Sequence, residues 1–460
     1  MKKMLKRTVV AAMAGVMLLS GCGGTKSDGE NVTISIGNWP SETNDINYKA
    51  HQDWLAAMNQ EHPEITIIQD NYQYGTDTFF TKGASGQLPT MYLTWFTEVN
   101  KIIDAGFCTD ITAQMKKYGY DEALNPLIKE TLQKDGKYYA VPTSVYAQGI
   151  AVNKKLFAEA GLLNEDGTVK APQTYEELAE TAKIIKEKTG KAGFALGTSS
   201  KQGGWHFMNI AWSHGVEFMK KNDDGSWTAT FNTPECVEAL QYVKDLKWKY
   251  DVLPSNNIIN LSEIKKQVAT GQAAMCFLDP PANELITSYG MNKDDIAFIR
   301  VPAGPKGRFA QMGGNLYMLS NQATEEEKDA VFQWLETIGV TPKVGERQIE
   351  SWKSTARSHT EKGGVEMGEE AIKIWNNAER LAKQKESMAE FVNINPSDFA
   401  DYLSFEGVTV RPEEPMECQQ LYAIIDAAIQ KVLTDKNADV AAIVEKANND
   451  FQTNFLDKID

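Results

Sequence analysis

Apolar positions alternate with polar ones over Val32 to Ile36, the period of a strand with one buried face, and the spacing then changes to helical at Tyr48, Leu55 and Met58. Glu64 to Gln69 and Met91 to Trp95 predict two further strands, each separated from the last by helical or small-residue sequence. Strands alternating with helices predict an α/β lobe. After Gly149 a strand leads into a series of marked helices. Thr174 with Glu177 reads as a capping box opening a helix to about Lys188, and Thr233 before Pro234 as the start of a helix reaching Tyr250. Ser262 to Thr270 predicts a shorter helix, and Ala273 to Leu278 a buried strand that stops at Asp279-Pro280-Pro281. Thr324 with Glu327 is a second capping box, for a helix to about Ile338, and its run of acids complements a helix start rather than a metal. Helical patterns over Leu421 to Leu433 and Ala438 to Ile459 close the chain, with no internal repeat to suggest a structural array.

The first residues break this pattern. Lys2, Lys3, Lys6 and Arg7 precede an apolar run from Val9 to Leu19, which at about 11 residues is short of the ~20 that span a bilayer as a helix. It reads as a secretory signal over residues 1–21, followed by Cys22 and a flexible tether to residue 31 that has no apolar residue to bury. Leu19-Ser20-Gly21-Cys22 looks like a bacterial lipobox, implying an acylated Cys22 that holds the chain to the outer face of the cell membrane.

Removing 21 residues leaves 439, enough for two domains. Four of the 47 basic residues and none of the 62 acidic ones fall in the signal, so 43 remain against 62, a net charge of −19. Such a surface repels phosphate backbones and argues against nucleic-acid binding. Cys108, Cys236, Cys276 and Cys418 lie far apart without metal-ligand spacing and are expected as buried free thiols. His206 and His214 have no neighbouring cysteine or paired-histidine motif, so no metal and no cofactor is expected.

The order of elements resembles the family 1 extracellular solute-binding proteins, which include maltodextrin and other oligosaccharide receptors of ABC importers. The resemblance is carried by Asp135 to Thr143, Gly149 to Gly161, Pro172 to Leu178, Ala269 to Met275 and Gly313 to Ser320, in that order. Thr90 and Tyr175 depart from it, where aspartate and tryptophan are usual, and the stretch from Thr341 to Arg411 is longer than usual. The family implies an α/β, two-lobed, type II periplasmic-binding-protein-like fold with a hinged cleft. Residues 32–141 and 294–320 would form one lobe, and 142–293 and 321–460 the other, with crossings near 142, 294 and 320.

A sugar offers apolar C–H faces and a rim of hydroxyls, so its receptor needs flat aromatic surfaces and amide or carboxylate partners. Where the family's cleft lies, this chain has Asn38 and Trp39 after the first strand, Gln73 and Tyr74 beyond the second, and Trp95 ending the third. From the other side come Tyr146, Trp205, His206, Asp279, Asn283, Gly314 and Asn315, with Trp352 and Arg357 farther along. Trp212, Trp248, Trp334 and Trp375 sit on helical faces and are expected in the core. The resemblance thus implies a monomeric receptor that delivers a sugar or oligosaccharide to permease subunits. Peptides and phosphoesters are alternative solutes. A secreted glycoside hydrolase, needing two carboxylates about 5 to 10 Å apart, is the enzymatic rival.

Overall fold

The computed structural model describes residues 31–459 apart from 44 and 77, so the signal segment, Cys22 and nearly all of the tether lie outside the described residues. Strand β1 (Val32–Ile36) buries Ile34 and Ile36 and pairs in parallel with β2 (Ile65–Gln69) after the helix α1 (Asp45–Glu61). On its other edge lies β3 (Met91–Trp95). Thr90, at the family's usual aspartate, exchanges hydrogen bonds with Ser35: each backbone N–H donates to the other's hydroxyl, at 3.0 and 2.8 Å. Two hydroxyls thereby continue the β1–β3 ladder one step past its end.

The chain leaves this sheet along β4 (Ala140–Ala147), breaks at Gln148 and resumes as β5 (Gly149–Asn153) at the centre of a second sheet. There β5 pairs antiparallel with β6 (Met275–Leu278) on one side and β7 (Ile296–Ile299) on the other. Between β5 and β6 come the helices α2 (Tyr175–Thr189), α3 (Gln202–His214), α4 (Pro234–Trp248) and α5 (Leu261–Ala269). Thr174 and Thr233 cap α2 and α4 by accepting from the N–H three residues on, at 3.1 and 3.3 Å. The return strand β8 (Arg308–Leu319) is long because it serves both ends of the first sheet. Its outer half carries β9 (Val408–Pro412) in parallel, its inner half pairs with β3, and β4 runs antiparallel along it from Met312 to Met318.

Sheet membership moves two of the expected boundaries. β7, assigned to the first lobe by a crossing near 294, stays in the second sheet, and the crossing comes between Ile299 and Arg308. The helix α6 (Glu325–Thr337), assigned to the second lobe, packs on the first, where Trp334 stacks on Trp39 with ring centroids 5.7 Å apart. The reason is its apolar face: Val331, Trp334 and Leu335 are buried, and the flank of the parallel sheet beside β1 is where that face is covered. Its N-terminus is secured by a full capping box, Thr324 with Glu327, and by Lys328 donating to Asp110 O at 3.0 Å.

The long stretch after α6 forms α7 (Glu346–Glu361) and α8 (Ala378–Met388), which pack on each other. Trp375 meets Tyr120 of the first lobe edge-on at 5.2 Å, while Phe399 stacks on Phe298 of β7 at 5.8 Å. The chain then passes from β9 through residues 413–417 into α9 (Cys418–Thr434), which packs on α3 and α4, and ends with α10 (Val440–Asn454). Cys108, Cys236, Cys276 and Cys418 are buried free thiols.

Candidate functional site

The inner wall of the cleft is a pair of strands with glycine on one and tyrosine on the other. Tyr146 of β4 lies opposite Gly313 of β8. A Cβ at Gly313 would stand 2.5 Å from the tyrosine oxygen, and one at Gly314 would stand 2.1 Å from Ser144 O. Gly313 therefore leaves room for the ring to lie over the strand, and Gly314 lets the β4 backbone approach at Ser144. Trp205 meets that ring edge-on, centroids 6.1 Å apart at 85°. Its position is set by the start of α3: Lys201 adopts a left-handed conformation (φ 69°), and Asp426 accepts from the N–H groups of Lys201 and Gly204 at 2.6 and 2.8 Å. Gly204 in turn lets α3 press on α9, since a Cβ there would meet Tyr422 O at 2.4 Å.

Tyr146 opens on a cavity of about 520 Å³. Pro280, Pro281 and Tyr402 bound it from the second sheet, and Trp352, Met367 and Met388 from the outer wall of α7, α8 and the chain between them. Trp352 is braced from behind by the buried Arg380, whose guanidinium lies 4.8 Å from the indole centroid, a cation–π contact. Such a volume, with aromatic surfaces and a few polar groups, is what a small-molecule site requires.

Behind Tyr146 runs a buried polar chain. Gln148, at the break between β4 and β5, donates its N–H to Gln311 O at 2.9 Å and accepts from the Asn209 amide, while Asn209 Oδ1 accepts from Gln311 N at 2.8 Å. Gln311 Nε2 donates to Tyr422 Oη at 2.6 Å, and Tyr422 donates to Glu413 Oε1 at 3.0 Å. Glu413 is partly exposed; burial among these groups pushes its carboxyl up to about 8, against the Tyr422 hydrogen bond and with the help of Glu98. On the first lobe, Tyr74 donates to the buried Glu98 at 2.6 Å, and Trp95 stands edge-on to Tyr74 at 5.1 Å, 37 % exposed. Burial also raises the carboxyl of the partly exposed Asp279.

A family model described as "Bacterial extracellular solute-binding protein" matches residues 39–339. The chain belongs to the bacterial extracellular solute-binding proteins. It is 23% identical to a binding protein of Brucella abortus over 72% of this chain and 78% of that one. It is 25% identical to the diacetylchitobiose binding protein DasA of Streptomyces coelicolor over 52% of this chain and 56% of that one. The structure of the cyclic α-maltosyl-1,6-maltose binding protein from Arthrobacter globiformis matches with a TM-score of 0.63 and 22% identity, over 91% of this chain and 97% of that one. The fold is accordingly the two-lobed type II fold of these proteins.

For a solute-binding protein of this fold, the residues singled out from sequence divide sharply. Tyr146 and Trp352 line the same cavity, Trp205 adjoins Tyr146, and Asp279 precedes the prolines that bound it. Tyr74 and Trp95 form an aromatic edge on the first lobe. Gly314 and Asn315 lie in β8, where Asn315 donates to Ser144 Oγ at 3.1 Å and pairs with Trp95 across the ladder. Four placements correct the expectation. Trp39 is 4 % exposed and belongs to the core, because Trp334 and His51 cover its two sides. His206 is fully buried beneath Trp205 and beside Phe277, and burial holds its imidazole down at about 3, so it stays neutral. Asn283 is occupied: it accepts from Val365 N at 2.6 Å and donates to Val365 O at 3.1 Å, pinning the outer wall. Arg357 points away, over Phe391 at 5.8 Å and toward Glu350. Asn38 forms a left-handed turn (φ 62°) whose N–H donates to Tyr72 O, and Gln73 lies exposed on its loop.

Glu413, Tyr402 and Glu98 escaped the sequence reading. Glu98 and Tyr402 sit in short helical turns with no motif around them, and only the acid pair Glu413-Glu414 directly after a strand left a visible trace. Among the described residues no group of three or more His, Cys, Asp or Glu side chains is arranged to hold a metal ion, and no helix is long and apolar enough to cross a membrane.

Proposed function

We propose that the chain is the solute-capturing component of an ABC importer, taking a sugar or oligosaccharide between its lobes and presenting it to membrane permease subunits. The observation that carries this reading is the corner of Tyr146 and Trp205 beside the 520 Å³ cavity, where apolar ring faces stand next to carboxylate acceptors. The name of the diacetylchitobiose binding relative supports the solute class. On this reading the protein acts as a monomer tethered through an acylated Cys22, and it binds without converting its solute. Binding favours the form in which α7, α8 and β8 enclose the ligand.

The test is thermal unfolding of residues 23–460 against mono- and oligosaccharides, with chromatography of each sugar after incubation. A sugar at about 100 times its dissociation constant stabilises by ~2.7 kcal/mol. A raised midpoint with the sugar recovered intact supports a receptor. Cleavage of the sugar would make the protein a hydrolase, and no shift with any sugar would remove the proposed solute class.

A further inference from the structure

From Val365 to Lys373 the outer wall passes from one lobe to the other without helix or strand, and every residue from Glu366 to Lys373 lines the cavity. One end is anchored to the second lobe. Asn283, in the turn after β6, holds both backbone groups of Val365. Asn393 holds Glu366 in the same way: its Oδ1 accepts from Glu366 N at 2.8 Å and its N–H donates to Glu366 O at 3.2 Å. Asn393 O in turn accepts from Lys293, just before β7, at 3.3 Å. The other end is anchored to the first lobe. Asn125 donates from its side chain to Lys373 O at 2.8 Å and from its backbone to Ile374 O at 2.9 Å, and Asn376 N donates to Ala123 O at 2.6 Å. The packing changes sides at the same place: Met367 and Ala371 lie on the cluster of Phe298, Phe399 and Tyr402, whereas Ile372 and Trp375 are buried in the cluster that contains Tyr120.

The segment between the anchors is shaped by its own bonds. Glu366 Oε1 accepts from Gly368 N at 3.1 Å, and Gly368 takes a left-handed turn (φ 73°) where a Cβ would stand 2.6 Å from Val392 Cγ2. Glu369 is paired with Lys385, and the Lys373 ammonium donates to Glu370 O. Among the described residues no group donates to the exposed Glu370 carboxylate, so the cavity lining keeps an acceptor for a solute hydroxyl. Since its ends belong to different lobes, the segment also limits how far the lobes part. Eight residues reach at most about 26 to 29 Å when fully extended. A hinge motion that opens the cleft therefore draws on this segment. The segment lies beyond residue 339, in the stretch that is longer than the family pattern.

We propose that residues 366–373 are a strap across the cleft that sets the upper size of the solute. This rests on the cleft being the solute site. A cavity of about 520 Å³ suits a small molecule, so a short oligosaccharide fits beneath the strap and is enclosed. A longer one runs into the strap, which cannot swing aside because both ends are anchored, and lobes held apart by the solute strain Asn283 and Asn125.

The test uses residues 23–460 with four linear series, α-1,4-glucans, β-1,4-glucans, α-1,5-arabinans and β-1,4-linked N-acetylglucosamine, each from two to six units. Dissociation constants are measured by calorimetry for the wild type, for a strap lengthened by Gly-Ser-Gly-Ser after Gly368, and for Asn283→Ala, which releases the second-lobe anchor. In the series that binds, wild-type affinity is expected to peak at roughly two or three units and to fall at least tenfold by six. Both variants recover at least fivefold for six units. Amide exchange across residues 366–373 slows at least tenfold in the wild type saturated with its best sugar, a readout that decides even where a variant fails to fold. Affinity that stays level up to six units overturns the inference and leaves the sugar-receptor reading standing. Unchanged exchange across the strap, or a length profile that neither variant alters, also overturns it. Should only a sugar of the wider panel bind, the exchange measurement with that sugar decides. No binding in any series, together with no response to the wider panel, overturns both.

Discussion

The inner wall of the cleft, built from β4, β8 and the chain at Glu413, is held by hydrogen bonds buried from solvent. The outer wall of α7, α8 and the chain between them is held at its edges by ion pairs that water reaches. Gln148, Asn209 and Gln311 have no exposed surface to speak of. The outer wall instead leans on Arg347 with Glu61, Lys385 with Glu369, and the clasp of Asn283 on Val365. Surface pairs contribute little and are screened by salt, whereas a buried network fixes geometry because every broken bond strands a polar group. If the cleft holds the solute as proposed, the inner wall should set which chemistry is recognised and the outer wall how much room the ligand has.

The largest effect expected is on the inner wall. Gly204→Ala forces a methyl against the Tyr422 backbone at 2.4 Å and should destabilise by about 3 kcal/mol in denaturant unfolding, while shifting Trp205 enough to weaken binding. A stable, fully binding Gly204→Ala protein would show that α3 and α9 are free to separate, and the contrast between the walls would fail.

Titration comes next. Glu413 is held at about 8 and Glu414 at about 7, both above the ordinary 4.5 and both chiefly through burial, so the folded state binds these protons more tightly than the unfolded chain does. Their stabilisation is complete below about pH 4.5 and is lost as pH rises through 7 to 8, at about 1.4 kcal/mol for each pH unit that separates the folded carboxyl from the unfolded one. Solvent at the rim of Glu413 reduces this to roughly 2–3 kcal/mol for that residue. Glu413→Gln should flatten the fall in unfolding free energy between pH 5 and 8; an unchanged slope would place the carboxylate in water rather than in the wall.

Ligand affinity separates the walls by smaller amounts. Tyr146→Ala and Trp205→Ala should each weaken solute binding by about 2 kcal/mol, with a coupling of about 1 kcal/mol in a double-mutant cycle from their edge-to-face contact. Trp352→Ala should cost about 1 kcal/mol and widen the range of solutes accepted, as measured by calorimetry. If Trp352 proved the larger loss, recognition would belong to the outer wall. The smallest effect is expected of Arg357→Ala, at less than about 0.5 kcal/mol in either binding or stability, because its guanidinium is exposed over Phe391 outside the cavity.

Much of the fold was legible because its signals are local. The alternation at Val32 to Ile36 became β1, the threonines at 174, 233 and 324 became helix caps, and Asp279-Pro280-Pro281 ended β6 as its prolines require. The site was legible only in part. Tyr146 and Trp205, singled out from sequence, meet at the edge of the cavity, yet Trp39, an equally strong candidate by its neighbours in sequence, turned into the core. Glu413 was passed over among 62 acidic residues because its only local trace, an acid pair after a strand, does not distinguish it from the other acids.

What the sequence determined by itself is the family, the strand-and-helix order and the aromatic and acidic character of the chain, all of which are encoded over stretches of a few to twenty residues. What only the tertiary structure decided is which of those side chains face the cleft. Trp39 is covered by Trp334, Tyr146 is seated by Gly313, and Glu413 is fixed through Tyr422 by Gln311, partners that packing brings together from distant parts of the chain. A side chain's exposure is a property of what lies against it, and local periodicity contains no record of that neighbour.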